Sequence, residues 1–373
     1  MSKKVGILTA GSDCPGLNAT IRAFGKAARS TYGMTLIGFK DGFRGLIENR
    51  TADLSGDALS NILTAGGTVL GTSRDLPHQF VVDGETQDKT DEAVQVYKQN
   101  GLDALVCIGS LETQETAYRL SQEGLNLLTI PKSANNDVPM TDETIGFDTS
   151  QHIATEAIDR LHSTAHSNHR IIIVEIMGKD VGWLTLGSGI ASGADVILIP
   201  EIPYDIGKIS DAILERNKAG KMFSIIAVAE GANSSELVAF FERSAKINRK
   251  VHSNEAQEKS SARMAELKKK YTGQTLLLAN RLEETTGIES RITILGYLLR
   301  GGAPSARDRI LATHLGTYAA DLVADNKFGV MVAFTGGRAV TVPLKDVVGK
   351  EKSVPLDHPW ILGARHVGTV FGD

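Results

Sequence analysis

Polar and amide side chains crowd one stretch of the sequence, residues 131–137 (PKSANND), which is followed by Thr141-Asp142 and by Gly146-Phe147-Asp148-Thr149. The stretch comes directly after a predicted buried strand at 126–130, which an Ile-Pro pair brings to an end. Loops at the carboxyl ends of strands carry the chemistry of open α/β sheets. We therefore predict a functional loop here. An ordinary Asn-rich turn is the alternative, because Asn and Asp also favour turns.

A second candidate is the loop Gly11-Ser12-Asp13-Cys14-Pro15-Gly16, between a predicted strand at 4–9 and a predicted helix at 18–31 that Asn18 would cap. Loop N–H groups and a helix N-terminus together attract anions, so this loop predicts a phosphate cradle. It matches neither a Walker A motif nor GxGxxG, and a tight turn is the alternative. Arg74 ends another glycine-punctuated turn and carries a donor fork suited to phosphate, with a solvated surface charge as its alternative.

Strands and helices alternate along the chain, and this alternation predicts right-handed parallel α/β sheets. The turn Gly109-Ser110-Leu111-Glu112-Thr113 follows a predicted strand at 104–108. A second βα series includes a β-branched strand at 171–176 that stops at Met177-Gly178-Lys179. We expect residues 330–334 to form the final sheet strand. The two series predict two similar α/β domains.

Composition limits the function classes. The 373 residues are 42% apolar, which suits two domains that each bury a core. The net charge of −4 gives no general attraction to nucleic acid or to an anionic membrane. Cys14 and Cys107 are the only cysteines, so neither a disulfide framework nor a cysteine metal site is expected. With no apolar signal segment or membrane-length run, the sequence predicts a soluble cytoplasmic protein.

Several motifs, in this order, resemble those of the ATP- or pyrophosphate-dependent 6-phosphofructokinase family. They are residues 8–22, 71–74, 131–137, 146–149, 177–179, 229–231 and 291–302, ending in Asp308-Arg309. The resemblance implies two Rossmann-like, three-layer α/β/α domains with mostly parallel sheets. It also implies transfer of a phosphoryl group to the 1-hydroxyl of fructose 6-phosphate in glycolysis, with Mg²⁺ and ATP or pyrophosphate, by a cytoplasmic homotetramer.

The resemblance also implies the domain bounds. A nucleotide- or donor-side domain would comprise residues 1–146 plus about 299–349. A sugar-phosphate-side domain would comprise residues 147–298 plus about 350–373. A charged helical excursion at 241–271, rich in Lys, Glu, Ser and Arg, would be solvated, with a partner-binding arm as the alternative.

The catalytic motifs depart from the family pattern. Asn135 stands where the family has its general-base aspartate, and an amide has no carboxylate to take a proton. Leu111 stands where the family has its metal-binding aspartate. Lys179 replaces an arginine, and Tyr297 replaces a histidine that contacts the 6-phosphate. Ser12 replaces the second glycine of a pair. These changes predict weak or absent catalysis.

The resemblance assigns the remaining site residues by position. The implied catalytic loop also contains Ser133 and Asp137. The implied substrate residues are Arg170, Met177, Gly178, Glu230, Arg291, Tyr297 and Arg300, where Arg170 and Arg291 would reach the phosphate from a neighbouring subunit. The implied donor-side residues are Gly11, Ser12, Arg74, Ser110, Glu112, Thr113 and Lys132.

Two further positions bear on the donor and on effectors. Pyrophosphate-using relatives carry an acidic residue and a lysine where this chain has Glu112 and Lys132, which indicates either a pyrophosphate enzyme or a closed ATP site. Arg22 and Lys26 fall at nucleotide-effector positions, whereas His162 replaces an effector arginine.

Three hypotheses follow. The first is a catalytically impaired or inactive paralogue that retains sugar-phosphate binding, with a regulatory role or hetero-assembly with an active homologue. The second is an active 6-phosphofructokinase in which Asp137, or a water held by Asn135, replaces the base. The third is a structural subunit with an empty pocket.

Overall fold

A computed structural model of the chain describes residues 2–54, 56–249 and 273–373, without the side chains of residues 244–249. Most of the predicted excursion at 241–271 therefore lies outside the described residues, and its first part belongs to a helix, Ser235–Arg249.

The chain divides into two compact units. Unit 1 comprises residues 1–150 and 297–352, and unit 2 comprises residues 151–296 and 353–373.

Unit 1 contains a seven-stranded sheet in the order β13-β12-β7-β6-β1-β2-β3. Its strands are β1 (Lys4–Thr9), β2 (Thr35–Phe39), β3 (Thr51–Asp53), β6 (Ala104–Gly109), β7 (Leu127–Pro131), β12 (Val330–Thr335) and β13 (Arg338–Pro343). The strands from β12 to β2 are parallel, whereas β13 and β3 are antiparallel edges. A separate hairpin joins β4 (Phe80–Val82) to β5 (Glu85–Gln87).

Helices cover both faces of this sheet. They are α1 (Leu17–Tyr32), α2 (Phe43–Ile47), α3 (Thr90–Gln99), α4 (Leu111–Gln122), the first turn of α5 (Phe147–Asn168), α10 (Ala306–Ala324) and α11 (Leu344–Val347). Along β6, Val106 and Ile108 pack into one apolar cluster, and Leu105 and Cys107 pack into another on the opposite face. This period of two buries the sheet on both sides, as expected for a parallel sheet between helices.

Unit 2 contains a four-stranded parallel sheet in the order β11-β8-β10-β9. Its strands are β8 (Ile171–Ile176), β9 (Val196–Leu198), β10 (Ser224–Ala229) and β11 (Ser290–Ile294). Its helices are the rest of α5, α6 (Trp183–Ala191), α7 (Ile206–Lys218), α8 (Ser235–Arg249), α9 (Gln274–Thr286) and α12 (Pro359–His366). The predicted fold class of α/β domains with mostly parallel sheets is confirmed. None of the helices in the described parts has the length and apolar character of a membrane span.

Two local predictions are wrong. Strand 330–334 is not the final one, because positive φ at Gly336 and Gly337 reverses the chain into β13. Asn18 is not the cap of α1: Gly16, with φ of 101°, occupies that position without a side-chain hydrogen bond. The Asn18 side chain instead donates to Gly66 O at 3.0 Å and accepts from Val69 N at 2.7 Å, so it ties α1 to a neighbouring loop.

Candidate functional site

The carboxyl ends of β1, β6 and β7 meet at one edge of the unit 1 sheet, because these strands are parallel neighbours. The backbone N–H of Ala10 donates to Ile108 O at 3.0 Å, and that of Lys132 donates to Gly109 O at 3.1 Å. The glycine-rich loop, the turn after β6 and the loop after β7 therefore converge. We call this convergence the unit 1 site.

Gly11 lies at the centre of the unit 1 site. A Cβ on this residue, whose φ is +83°, would lie 3.0 Å from Ser110 Oγ and 3.3 Å from Lys132 Nζ. Beside it, Arg74 Nη2 donates to Ser12 Oγ at 2.9 Å. Only glycine fits the backbone at position 11 without strain. The structure thus brings together five of the predicted donor-side residues.

Lys132 fills the space between two of these loops. Its side chain is 2% exposed, and its Nζ donates to the carbonyl of Ser12. Burial lowers the pKa of Lys132; the nearby Arg300 charge lowers it further, while Asp137 and Asp13 oppose the shift. The buried Lys132 side chain itself therefore occupies the region next to the glycine-rich loop.

The turn after β6 holds the remaining predicted donor-side positions. Gly109 must lack a side chain, because its Cβ would lie 2.0 Å from Oγ1 of the buried Thr113. Ser110 occupies the N-cap of α4 without a side-chain capping bond, and Glu112 is exposed in the first turn. Leu111 packs against an apolar cluster formed by Ala117, Val138, Met331, Ala333, Val342, Leu344 and Val347.

The packing of Leu111 decides how well this site fits a magnesium ion. Mg²⁺ prefers carboxylate and other oxygen ligands, and position 111 offers an alkyl side chain that packs into an apolar cluster. Among the described residues, no group of three or more His, Cys, Asp or Glu side chains is arranged to hold a metal ion. The residues present do not fit a carboxylate-anchored Mg²⁺ at this position.

The loop after β7 presents two buried oxygen atoms. Oδ1 of Asn135 and Oδ1 of Asp137 are both buried and accept no hydrogen bond from any described residue. The Asn135 backbone N–H donates to Ser133 Oγ at 3.1 Å. Asn136, with φ of 54°, turns the chain between them, and its Nδ2 donates to Asp142 O at 3.1 Å. Two buried acceptors without a protein donor therefore lie two residues apart in this loop, and each would be satisfied by an ordered water or by a ligand that donates a hydrogen bond.

Lys352, which is not among the residues predicted from the sequence, holds the same loop through hydrogen bonds. Its Nζ donates to Thr141 O at 2.9 Å and to Asp142 O at 2.7 Å, while its backbone N–H donates to Asp137 O at 2.9 Å. Burial lowers the pKa of Lys352 to about 8, against the raising effect of Asp142 and other nearby carboxylates. Nothing local to residue 352 signals this role, since its partners are 211 and 210 residues away in the chain.

Asp308 anchors the loop that continues from this site into α5. The carboxylate, which is 1% exposed, accepts from Gly146 N and Thr149 N at 2.8 Å each, and also from Thr149 Oγ1. Ser305 Oγ in turn accepts from Asp308 N at 3.1 Å and caps α10. Burial raises the pKa of Asp308 to about 6, and the three donors offset only part of that effect.

This raised pKa predicts a pH-dependent stability. Between about pH 4 and pH 6 the folded protein binds more protons at Asp308 than the unfolded chain does, so stability falls as pH rises and then levels off above pH 6. About two pKa units correspond to about 3 kcal/mol. Urea unfolding followed by circular dichroism should show this decline in the native protein relative to Asp308→Asn. Parallel pH profiles for the two proteins would contradict it.

In unit 2, the parallel neighbours β8 and β10 end side by side. Gly231 N donates to Gly178 O at 3.1 Å, and a Cβ on Gly231 would lie 1.8 Å from the carbonyl oxygen of Lys179. Met177 is buried, whereas Lys179 and Glu230 are exposed at the strand ends. The structure thus holds the 177–179 and 229–231 motifs against each other through backbone contacts.

Lys179 and Glu230 open onto a pocket of about 660 Å³. We call it the unit 2 pocket. Its charged lining residues are Glu175, Lys179, Asp180, Glu230 and Glu242. Leu237, Val238 and Phe241 of α8 form its apolar side. A volume of this size accommodates a small polar ligand, and four carboxylates against one ammonium group make the lining acidic.

The implied phosphate residues Arg170 and Arg291 share one partner in unit 2. Arg170 Nε lies 2.6 Å from Glu289 Oε2, and Arg291 Nη2 pairs with Glu289 Oε1. The structure therefore brings these two arginines together around a single carboxylate. Glu289 was not among the predicted site residues, although it is two positions before Arg291.

The other implied binding residues lie in unit 1 or at the effector positions. Tyr297 is 78% exposed, and the Arg300 guanidinium lies 5.2 Å from its ring centroid in a cation–π contact. Arg22 is half-buried and Lys26 exposed on α1. His162 Nε2 lies 2.8 Å from Ser192 O, so this side chain is engaged with the backbone.

Comparison with known proteins matches this arrangement to one family. The model of the family described as "Phosphofructokinase" matches residues 4–323. An ATP-dependent 6-phosphofructokinase of Propionibacterium freudenreichii is 55% identical over 373 residues and is covered over 100% of both chains. Another, of Spirochaeta thermophila, is 46% identical over 100% of this chain and 98% of its own length.

Solved structures agree at the level of the fold. The Pichia pastoris phosphofructokinase in the T-state is 28% identical, with a TM-score of 0.76 over 93% of this chain and 35% of that one. The pyrophosphate-dependent phosphofructokinase of Marinobacter aquaeolei has a TM-score of 0.77 over 100% of this chain and 92% of its own, at 19% identity. With its motifs, its two α/β units and these full-length relatives, the chain belongs to the phosphofructokinase family.

Proposed function

We propose that this protein binds a fructose 6-phosphate-like sugar phosphate in a phosphofructokinase fold and has weak or no phosphoryl-transfer activity. In a cytoplasmic, glycolytic setting it would act as a regulatory binder. It would assemble either as a homotetramer or together with an active homologue. The family resemblance implies this assembly, because Arg170 and Arg291 would complete the binding site of a neighbouring subunit.

The observation that carries the proposal is Asn135 at the position of the general base. Its Oδ1 is buried and has no hydrogen-bond partner among the described residues, and it is an amide oxygen where the family has a carboxylate. An amide cannot take the proton as the sugar hydroxyl attacks. Loss of a general base typically lowers the rate by about 10²–10⁴-fold.

Two further features of unit 1 support the loss of turnover. Leu111 packs against an apolar cluster where the family has a metal-binding aspartate. Without that aspartate, a metal ion would not be held here to stabilise the charge on the transferring phosphoryl group. The Lys132 side chain, whose Nζ donates to the Ser12 carbonyl, fills the space beside Gly11. Lys132 could indicate either a pyrophosphate site or a closed ATP site. We favour the closed ATP site, because the base at position 135 and the metal ligand at position 111 are also missing.

An active 6-phosphofructokinase is the second candidate, and one observation favours it. Asp137 Oδ1 is also buried without a partner in the described structure, so a true carboxylate lies two residues from Asn135. The full-length relative from P. freudenreichii at 55% identity bears the name of an active enzyme. Under this alternative, Asp137 or a water held by Asn135 takes the proton, and turnover with ATP or pyrophosphate is ordinary.

Calorimetry with fructose 6-phosphate and no phosphoryl donor tests the binding half of the proposal. The native protein should bind with a saturable heat. Arg291→Ala should weaken binding by about tenfold or more, because it removes a charged hydrogen-bond donor. Arg160→Ala, which removes an exposed arginine paired with Glu156 on α5, is the matched control and should leave binding unchanged. Absence of binding by the native protein would contradict the proposal and favour a structural subunit.

A further inference from the structure

One carboxylate holds both of the unit 2 arginines that the proposed function assigns to the ligand's phosphate. Glu289 Oε2 lies 2.6 Å from Arg170 Nε, and Oε1 pairs with Arg291 Nη2. The two oxygens therefore serve two different guanidinium groups, 119 and 2 residues away in the chain. We call this arrangement the Glu289 clamp.

The chemistry of the Glu289 clamp resembles that of a bound phosphate. A phosphate monoester offers several oxygen acceptors and a charge of about −1.5 to −2 near neutral pH, and planar guanidinium forks recognise it by paired N–H···O bonds. A bridging carboxylate offers two acceptors and one charge to the same donors. The guanidinium N–H groups of Arg170 and Arg291 that bind Glu289 cannot at the same time bind an incoming phosphate.

We propose that Glu289 is an internal competitor for the ligand's phosphate and thereby sets the affinity of the Arg170–Arg291 pair. The inference rests on the proposed function, since it takes these arginines as the phosphate ligands. A phosphate monoester displaces the carboxylate because it brings more charge and more acceptor oxygens to the same two guanidinium groups. A group with a single weak charge does not, so the clamp selects ligands with a dianionic phosphate.

The exposure of the three side chains makes the exchange feasible. In the single chain, the relative side-chain exposures are 33% for Arg170, 57% for Arg291 and 39% for Glu289. Ion pairs this accessible to water are individually weak and are screened by salt. The clamp can therefore open without unfolding the surrounding strands, while it still holds the two guanidinium groups close together before the ligand arrives.

The test measures binding of fructose 6-phosphate to the full-length protein by calorimetry, without a phosphoryl donor. Glu289→Gln should lower Kd about three- to tenfold, as expected for release of two exposed ion pairs. Glu289→Asp keeps the charge but shortens the side chain by one methylene, so it cannot bridge both arginines and should give part of the same gain. Glu156→Gln, which removes an exposed partner of Arg160 in the same unit, should leave Kd unchanged.

Each other outcome overturns the inference in a distinguishable way. If the native protein binds and Glu289→Gln binds equally or more weakly, the carboxylate positions the arginines and does not compete. If Glu289→Gln gains affinity while Glu289→Asp matches the native protein, the net charge matters and the bridge does not. If neither the native protein nor Glu289→Gln binds, the proposed sugar-phosphate function fails along with the clamp.

Discussion

Replacing Leu111 and Asn135 together by aspartate is expected to raise 6-phosphofructokinase turnover by about 10²–10⁴-fold or more. The Asn135→Asp change would restore a carboxylate base, a class of group whose loss typically costs about 10²–10⁴ in rate. The Leu111→Asp change would add a carboxylate ligand for Mg²⁺ at the start of α4, where Leu111 now packs on an apolar cluster. The measurement is kcat in a coupled assay with fructose 6-phosphate and either ATP or pyrophosphate.

The single variants separate the two contributions. Asn135→Asp alone should recover only part of the gain, and Leu111→Asp alone should recover little because the base is still absent. Leu111→Asp also removes apolar packing, so thermal melting must show that the variants remain folded at the assay temperature. Unchanged turnover in a folded double variant would contradict the interpretation that these two positions limit catalysis.

Gly231→Ala is expected to destabilise unit 2 by about 3–5 kcal/mol and to abolish ligand binding. The new Cβ would lie 1.8 Å from the backbone oxygen of Lys179, which cannot move aside as a flexible side chain would. The ends of β8 and β10 must separate, and Lys179 and Glu230 would then leave their places at the unit 2 pocket. A loss this large is a substantial part of the usual stability of about 5–15 kcal/mol.

Intrinsic tryptophan fluorescence provides the measurement, because Trp183 and Trp360 are the only tryptophans in the sequence and both lie in unit 2. The denaturation midpoint should shift strongly in Gly231→Ala. Gly363→Ala is the matched control: it lies within α12 with open space around its Cβ, so it should be neutral or slightly stabilising. Equal midpoints for the two variants would show that the β8–β10 contact tolerates a side chain.

Much of the fold follows from local patterns. The β-branched run Ile171–Ile176 predicts a strand with both faces buried, which is typical of a parallel sheet. The structure confirms this strand as β8. The loop after β7 could be located because Pro131 ends a strand and amide residues follow. By contrast, β13 does not follow from the expectation that residues 330–334 form the final strand, because positive φ at Gly336 and Gly337 reverses the chain into one strand more.

The site was harder to predict where its contacts are distant in sequence. Asn135 and Leu111 could be identified from the motifs around them, but the apolar cluster under Leu111 includes residues from β12, β13 and α11. Lys352 and Glu289 were missed for the same reason, since Thr141 and Arg170 are far from them along the chain. Pairings between distant charges depend on how the strands are ordered, which local periodicity does not determine.

Steady-state turnover of the native protein decides whether phosphoryl transfer has been lost. The assay couples fructose 1,6-bisphosphate formation to a spectroscopic signal, at saturating fructose 6-phosphate, with ATP and then pyrophosphate as donor in the presence of Mg²⁺. A typical enzyme has a kcat of about 10 s⁻¹, so loss of the base by Asn135 predicts about 0.1 s⁻¹ or less with either donor. A kcat on the order of 10 s⁻¹ with either donor would contradict the claim and favour an active enzyme in which Asp137, or a water held by Asn135, replaces the base.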